Sequence, residues 1–163
     1  TFFNVLGPLI SPVRPNYQCL GVYNLKMMRL YNYIYQNLGV QYSVVHSLDG
    51  YDEISLTDTT KIMTNSGEFV FTPEDFGFRR IRQEELWGGN TIDEAALIFT
   101  NVLNNKATEA QKNAVIINSA VAIQTRMPLK TLEQCILEAK ESLEGGRAKK
   151  VFEKFIEIYN QNN

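Results

Sequence analysis

The first fifty residues alternate between short β-prone runs and one run with the period of a helix. Residues 18–23 and 42–46 are apolar runs of strand length. Between them, Asn24 can cap a helix that Gly39 would end. The apolar positions of this helix recur at helical spacing, at Leu25, Met28, Tyr31, Ile34, Tyr35 and Leu38. Strand, helix and strand in this order predict a βαβ unit with two parallel strands.

The middle of the chain predicts further strands and a hairpin. Residues 54–57 and 59–64 have the composition of short strands, and residues 68–71 have the composition of another. Asn65-Ser66-Gly67, between the last two, is a tight-turn sequence. Thr72-Pro73 then resembles a helix start, because proline is favoured at the first helical position.

After a break at residues 88–90, the pattern changes to helices. Thr91 has Glu94 three positions later, and Thr108 has Gln111, so both pairs have the spacing of a capping box. The first of these helices carries an apolar stripe, formed by Ala95, Ile98, Phe99 and Val102. In the second, residues 114–123 are apolar on nearly all sides, which is typical of a fully buried helix.

Two more helices are predicted before the end of the chain. Pro128 would open the third, and Gly145-Gly146 would end it. Residues 151–159 have the apolar spacing of an amphipathic fourth helix. Together the elements predict an α/β fold with a mixed, partly parallel sheet flanked by helices.

The start of the chain differs from the rest. Residues 5–15 hold three of the five prolines, so residues 1–15 are predicted to be a hinge or connector and residues 16–163 the α/β domain. The chain opens on Thr1-Phe2-Phe3, without Met and without a polar lead-in. Because termini are usually exposed and polar, we expect a fragment or a protein cut in an exposed loop.

Composition and charge exclude several classes of function. The 163 residues are 44% hydrophobic and carry a formal net charge of −2, an ordinary balance for a globular domain. No basic stripe is present that would attract nucleic acid or a membrane surface. The apolar run at 114–123 contains Asn118 and Ser119 and is too short to span a bilayer. Cys19 and Cys135 lie in apolar patterns, so we expect buried free thiols and a cytoplasmic protein.

Asp49-Gly50-Tyr51-Asp52-Glu53-Ile54-Ser55 carries the strongest chemical signal. Asp52 and Glu53 follow an Asp-Gly turn at the exit of the strand at 42–46. Ligands of open α/β sheets bind beyond the carboxyl ends of the parallel strands. Mg²⁺ usually takes one or two protein carboxylates together with substrate phosphates. The loop therefore predicts a metal–phosphate site, although adjacent acids in a loop are also ordinary surface residues. Asp49 is expected to be a turn former and not a ligand, with its side chain hydrogen-bonding the backbone of the turn.

Five segments in order resemble anthranilate phosphoribosyltransferase. Residues 3–12 resemble the family's F-N-x-L-G-P-L-x-N-P, with Ser11 in place of Asn, and the acidic segment resembles D-G-L-D-E-I-S, with Tyr51 in place of Leu. Residues 72–77 and 88–90 match later markers, and residues 113–120 are similar to the D-A-V-L-L-N-A-A helix. The similarity runs from Thr1 to about Phe155.

The resemblance implies a fold, a reaction and site residues. The family joins a small helical domain to a larger α/β domain, and this chain would correspond to the C-terminal half. The family transfers phosphoribosyl from phosphoribosyl pyrophosphate to anthranilate in tryptophan biosynthesis, releasing pyrophosphate. Asp52 and Glu53 would hold Mg²⁺, and Gly7, Pro8 and Asn4 would line the anthranilate channel. The Gly-rich G-T-G-G-D phosphate loop would lie upstream, and the full-length protein would be a homodimer, with no nucleic-acid or membrane partner.

Other interpretations remain open at this point. A relative with the same fold could bind a partner such as nucleic acid without catalysis, or the chain could resemble a nucleoside phosphorylase. His46 could act as a base, but we favour a structural hydrogen bond. Arg79, Arg80 and Arg82 could bind phosphate, but the acids at 84 and 85 favour a surface of ion pairs.

Overall fold

The computed structural model describes residues 6–10 and 12–161. Within them, four strands form one sheet in the order β1-β2-β3-β4. The strands are β1 (Tyr17–Gly21), β2 (Gln41–Ser47), β3 (Thr60–Thr64) and β4 (Gly67–Phe71). Strands β1 and β2 are parallel, with Leu20 opposite Val44, and the other two pairs are antiparallel. The predicted mixed, partly parallel sheet flanked by helices is confirmed.

Helix α1 (Leu25–Leu38) connects the two parallel strands, as the sequence pattern predicts. Its first turn is capped by the Asn24 side chain, which accepts a hydrogen bond of 2.9 Å from the Met27 amide. It ends at Gly39, whose positive φ of 65° is the left-handed conformation that glycine adopts without a steric penalty. The buried face of α1 packs with Tyr42 and Val44 of β2 in one core cluster.

Four helices follow the sheet: α2 (Ile92–Leu103), α3 (Glu109–Arg126), α4 (Leu132–Glu144) and α5 (Arg147–Gln161). Helix α3 packs against both β1 and β2, and α4 packs against α3. A second core cluster therefore joins Val45 of β2 and Ile62 of β3 to Ile117 and Val121 of α3. Short 3₁₀ helices occupy Gly7–Leu9, Pro73–Phe76 and Gln83–Leu86. The expected helix start at Thr72-Pro73 is confirmed as one of these single turns.

Three predictions about elements are wrong. Residues 54–57 are not a strand, since Leu56 has a φ of 62° and the segment crosses the core in an irregular conformation. The third C-terminal helix begins at Leu132 and not at Pro128, because Thr131 caps it by accepting from the Gln134 amide. Helix α3 is not buried on all sides, because Val115 and Ala122 are exposed.

The two cysteines differ in their surroundings. Both are free, and Cys135 is buried in a third core cluster between α3 and α4, as expected. Cys19 of β1 is exposed, so the prediction that both are buried is wrong for Cys19. Within residues 6–10 and 12–161, no helix combines the length and the apolar character that a membrane span requires.

Candidate functional site

The candidate site lies where the two parallel strands end. Because β1 and β2 are parallel, Gly21 and Ser47 lie at the same edge of the sheet. The pairing continues one step beyond β1, where the Val22 amide donates to the Val45 carbonyl at 3.0 Å. Nδ1 of the buried His46 lies 2.8 Å from the Val22 carbonyl oxygen and must be the donor there, since a carbonyl only accepts. The structural hydrogen bond expected for His46 is confirmed.

The side chains of Asp52 and Glu53 are exposed at this edge. Among the ion pairs of the described residues, none involves either carboxylate. The pKa of Glu53 is raised, first because neighbouring atoms displace part of the water around its carboxylate and second because of the Asp52 charge. A cation placed at the pair would oppose this rise in pKa, since an opposite charge stabilises the charged form.

The donor set of this pair is suitable for Mg²⁺. In the part of the chain that the structure describes, no three His, Cys, Asp or Glu side chains are grouped as a metal site. Two adjacent carboxylates with no ion-pair partner among these residues match the one or two protein ligands that Mg²⁺ takes when phosphates complete its coordination.

The acidic loop docks directly on β1. A Cβ atom added at Gly21 would lie 1.5 Å from the carbonyl oxygen of Asp52 and 2.5 Å from its carbonyl carbon. Since real Cβ contacts are far longer, this contact requires glycine at the end of β1. Sequence reasoning missed Gly21, and its signal was a glycine closing an apolar strand.

Two side chains from other elements bind the backbone just after Glu53. The Ser47 hydroxyl donates to the Glu53 carbonyl at 2.7 Å and accepts from the Ser55 amide at 3.2 Å. The Asn118 side chain of α3 accepts from the Ile54 amide at 3.0 Å and donates to the Ile54 carbonyl at 2.9 Å. The sequence indicated Asn118 only as a polar residue in an apolar helix, and gave no sign of its contact with the loop.

The turn before the acids differs from the expectation for Asp49. The turn itself is closed by a hydrogen bond of 2.9 Å from the Gly50 amide to the Ser47 carbonyl. One Asp49 carboxylate oxygen accepts from the Thr57 hydroxyl, and the other is buried without a hydrogen-bond partner in the described structure. Asp49 therefore ties the turn to residue 57 and makes no hydrogen bond of its own to the turn backbone there.

Gly7 and Pro8 begin a short 3₁₀ helix. Leu9 of the same turn packs against the cluster that includes Val22 and Met28, which places the turn over α1 and the residue that follows β1. Among the described residues, a Cβ added at Gly7 would meet no atom within 4 Å. The third predicted channel residue, Asn4, lies outside the described residues.

The three arginines are engaged in ion pairs. Arg79 binds Glu85, Arg80 binds Asp58 at 2.7 Å, and Arg82 lies 3.9 Å from Glu85. The predicted surface of ion pairs is confirmed.

A cavity of about 700 Å³ lies elsewhere, between the sheet and the helices. Its lining includes Gln41 at the start of β2, Thr64 at the end of β3 and Thr125 of α3. Because Asp52 and Glu53 lie at the opposite end of β2, this cavity is separate from the candidate site.

Comparison with known proteins agrees with the motif resemblance. The glycosyl transferase family, a/b domain, matches residues 1–149. The anthranilate phosphoribosyltransferase of Bacteroides thetaiotaomicron is 58% identical over 161 residues, which cover 99% of this chain and 48% of the relative. That of Flavobacterium johnsoniae is 49% identical over 158 residues, covering 97% and 48%. The chain thus spans about half the length of the curated relatives it matches.

Solved structures of the same enzyme have the same fold. Anthranilate phosphoribosyltransferase from Thermus thermophilus superposes with a TM-score of 0.85 at 27% identity, covering 96% of this chain and 47% of that one. The Saccharomyces cerevisiae enzyme, in complex with phosphoribosyl pyrophosphate and Mg, gives 0.82 at 26%, covering 96% and 45%. The resemblance to the C-terminal half of anthranilate phosphoribosyltransferase is confirmed, and the chain belongs to the glycosyl transferase family, a/b domain.

Proposed function

We propose that this chain is the C-terminal part of an anthranilate phosphoribosyltransferase. The complete protein would transfer phosphoribosyl from phosphoribosyl pyrophosphate to the amino group of anthranilate and release pyrophosphate, a step of tryptophan biosynthesis. The observation that carries the proposal is the exposed Asp52–Glu53 pair, fixed at the edge where the parallel strands end, in a chain 58% identical to such an enzyme. Ligands of open α/β sheets bind at this edge.

Asp52 and Glu53 would hold Mg²⁺, either directly or through metal-bound water. The complex of the yeast enzyme with phosphoribosyl pyrophosphate and Mg supports this assignment by similarity. When bound, the ion would supply charge neutralisation for the departing pyrophosphate. The raised pKa of Glu53 also supports it, because partial burial and, second, the adjacent Asp52 charge both disfavour its charged form when no cation is bound.

The remaining roles need no nucleophilic side chain. The attacking nitrogen belongs to anthranilate. The protein therefore has to bind the two substrates, orient them towards each other and exclude water. Gly7 and Pro8 would line the channel for the aromatic acid, with Asn4, and the absence of a side chain at Gly7 would let a flat ring approach the backbone. Residues 1–15 would form the connector towards the helical domain.

We propose a homodimer in the cytoplasm for the complete protein, with small-molecule substrates and with neither nucleic acid nor membrane as partner. The net charge of −2 supports the last point, because a nucleic-acid-binding relative should have gained basic surface. The retained acid pair likewise argues against a non-catalytic relative, and the combined L-G-P-L and D-E-I-S segments argue by resemblance against a nucleoside phosphorylase.

The test is the reaction itself. The complete protein should consume anthranilate, followed by the loss of its fluorescence, only when phosphoribosyl pyrophosphate and Mg²⁺ are both present. A chelator should stop the reaction, and added Mg²⁺ should restore it. Parallel assays with nucleosides and inorganic phosphate test the phosphorylase alternative. Phosphorolysis without anthranilate consumption would overturn the proposal.

A further inference from the structure

The loop that carries the acid pair lies outside the sheet, yet side chains of other elements form hydrogen bonds with its backbone directly after Glu53. Four successive polar atoms of the main chain are involved: the Glu53 carbonyl, the Ile54 amide, the Ile54 carbonyl and the Ser55 amide. Ser47 binds the first and the last, and Asn118 binds the two between. Two side chains therefore satisfy the backbone hydrogen bonds of this segment, as a neighbouring strand does in a sheet.

Each of the two side chains is itself held in place. The Ser47 hydroxyl has one proton, which goes to the Glu53 carbonyl, so the contact of 3.0 Å with the Thr60 hydroxyl must be donated by Thr60. The Asn118 amide also donates to the Ala114 carbonyl of its own helix at 2.9 Å. That bond fixes which end of the amide is the donor, because only its nitrogen can donate to a carbonyl.

Burial changes sharply at the bonded segment. Ile54, Ser55 and Leu56 are almost completely buried, whereas Asp52 and Glu53 immediately before them are exposed. The loop is thus anchored in the core on one side of Glu53, and on the other side the Asp52 backbone rests against Gly21. The two carboxylates therefore project from a backbone whose conformation is restricted by contacts on both sides.

We infer that Asn118 and Ser47 are positioning residues for the acid pair, acting through the backbone that they bind. This inference rests on the proposed function. A divalent ion shared with a diphosphate requires its carboxylates within a narrow range of positions, and ordering a free loop at each turnover would cost conformational entropy. Helix α3 and strand β2 remove that cost before the ion binds. Asn118 of α3 forms a hydrogen bond with a residue 64 positions away in sequence, and Ser47 of β2 with one 6 positions away.

The first experiment measures amide hydrogen exchange in the complete protein without metal. The Ile54 and Ser55 amides should exchange slowly, although they belong to no strand. Asn118→Ala should accelerate exchange at Ile54 by about fivefold, the factor to which a net hydrogen bond of about 1 kcal/mol corresponds. Ser47→Ala should have the larger effect at Ser55. Asn113→Ala, on the same helix, is the matched control and should change neither amide.

Asn118→Asp separates the hydrogen bond from the packing of the helix. It keeps the side-chain shape and an oxygen that can accept from Ile54, but it loses the donor to the Ile54 carbonyl. Protection of the Ile54 amide should therefore persist in Asn118→Asp and be lost in Asn118→Ala. Equal exchange rates at Ile54 and Ser55 in the wild type and both variants would overturn the inference.

The second experiment tests whether these hydrogen bonds increase the affinity of the acid pair for Mg²⁺. In Asn118→Ala, the Mg²⁺ concentration for half-maximal rate should rise about tenfold, while kcat at saturating Mg²⁺ should fall much less. A merely structural role would lower the amount of active protein without moving this concentration, so an unchanged Mg²⁺ dependence would also overturn the inference. If the wild type consumed no anthranilate, the proposed function would fail, whereas the exchange experiment would still report on the anchoring of the loop.

Discussion

At the scale of single residues, the proposed chemistry depends on two carboxylates that no described ion pair neutralises. Replacing both Asp52 and Glu53 by Ala in the complete protein should lower turnover at least about a hundredfold, the usual cost of removing a charge-stabilising group from a transition state. Steady-state anthranilate consumption measures it. Asp93→Ala with Glu157→Ala removes the same charge from two exposed helical positions and should leave turnover within about twofold. Unchanged activity in the Asp52–Glu53 variant would defeat the metal assignment.

Gly21 allows the loop to approach β1 closely, because it has no Cβ atom. In Gly21→Ala the added methyl would overlap the Asp52 carbonyl, and because both partners are backbone, the strand end or the loop must move. We expect destabilisation of about 1–3 kcal/mol, the range for overpacked sites, and a fall in activity. Thermal unfolding and turnover are the measurements. Gly88→Ala, where an added Cβ meets nothing within 4 Å, should change neither property. Wild-type stability and activity in Gly21→Ala would show that the loop does not need this contact.

At the scale of elements, the short helix at Gln83–Leu86 is held by ion pairs that titrate in acid. Binding to Arg79 and to the Arg82 backbone lowers the pKa of Glu85 to about 2. A carboxyl with a depressed pKa in the folded state stabilises the fold above its ordinary pKa, and that contribution is lost as the pH falls towards 2. Glu85→Gln should therefore lower the unfolding temperature slightly at neutral pH, and this difference should shrink as the pH falls from 4.5 through about 2.

The neighbouring residue provides the control for this prediction. Glu84 precedes Glu85 in the same helix, and none of the ion pairs among the described residues involves its side chain. Glu84→Gln should therefore leave the pH dependence of unfolding unchanged. A difference between Glu85→Gln and the wild type that was as large at pH 2 as at pH 7 would assign the effect to something other than this carboxylate.

Elements with local signals could be predicted from the sequence, and those set by distant contacts could not. Helix α1 has its own cap and its own terminating glycine, so Asn24 and Gly39 specify its ends without help from the rest of the fold. The segment at 54–57 has strand-like composition, but docking between β2 and α3 overrides that preference and places Leu56 at positive φ. At the start of α4 two local signals compete. The cap formed by the Thr131 side chain sets the first residue of the helix, and Pro128 does not.

The candidate site divides in the same way. Asp52 and Glu53 could be found because they are adjacent in sequence and part of a recognisable segment. Asn118 and Gly21 could not be connected to them, because their contacts with the loop depend on how α3 and β1 pack. Candidate metal-binding residues can therefore be identified from a motif, whereas residues that hold the motif in place emerge only from the fold.

At the scale of the whole molecule, large apolar side chains remain on the surface. Helix α5 is exposed throughout most of its described length, with Val151 at 71% and Phe155 at 60% exposed, and Leu97 of α2 and Leu137 of α4 are exposed as well. Exposed apolar faces on neighbouring elements are typical of surfaces that another part of a protein covers. The chain spans about half of the relatives it matches, so in a complete protein the remaining half is available to cover them.

A polypeptide of these 163 residues alone should therefore self-associate and bind a hydrophobic dye. It should also show no turnover, because the resemblance places the Gly-rich phosphate loop upstream. Light scattering and dye fluorescence at increasing protein concentration measure the first two properties. Val151→Lys with Phe155→Lys places two charges on the apolar face of α5 and should reduce both signals while leaving the sheet intact, as judged by circular dichroism. A monomer that binds no dye would show that these faces need no cover, and turnover by this polypeptide alone would show that both substrates bind within its own residues.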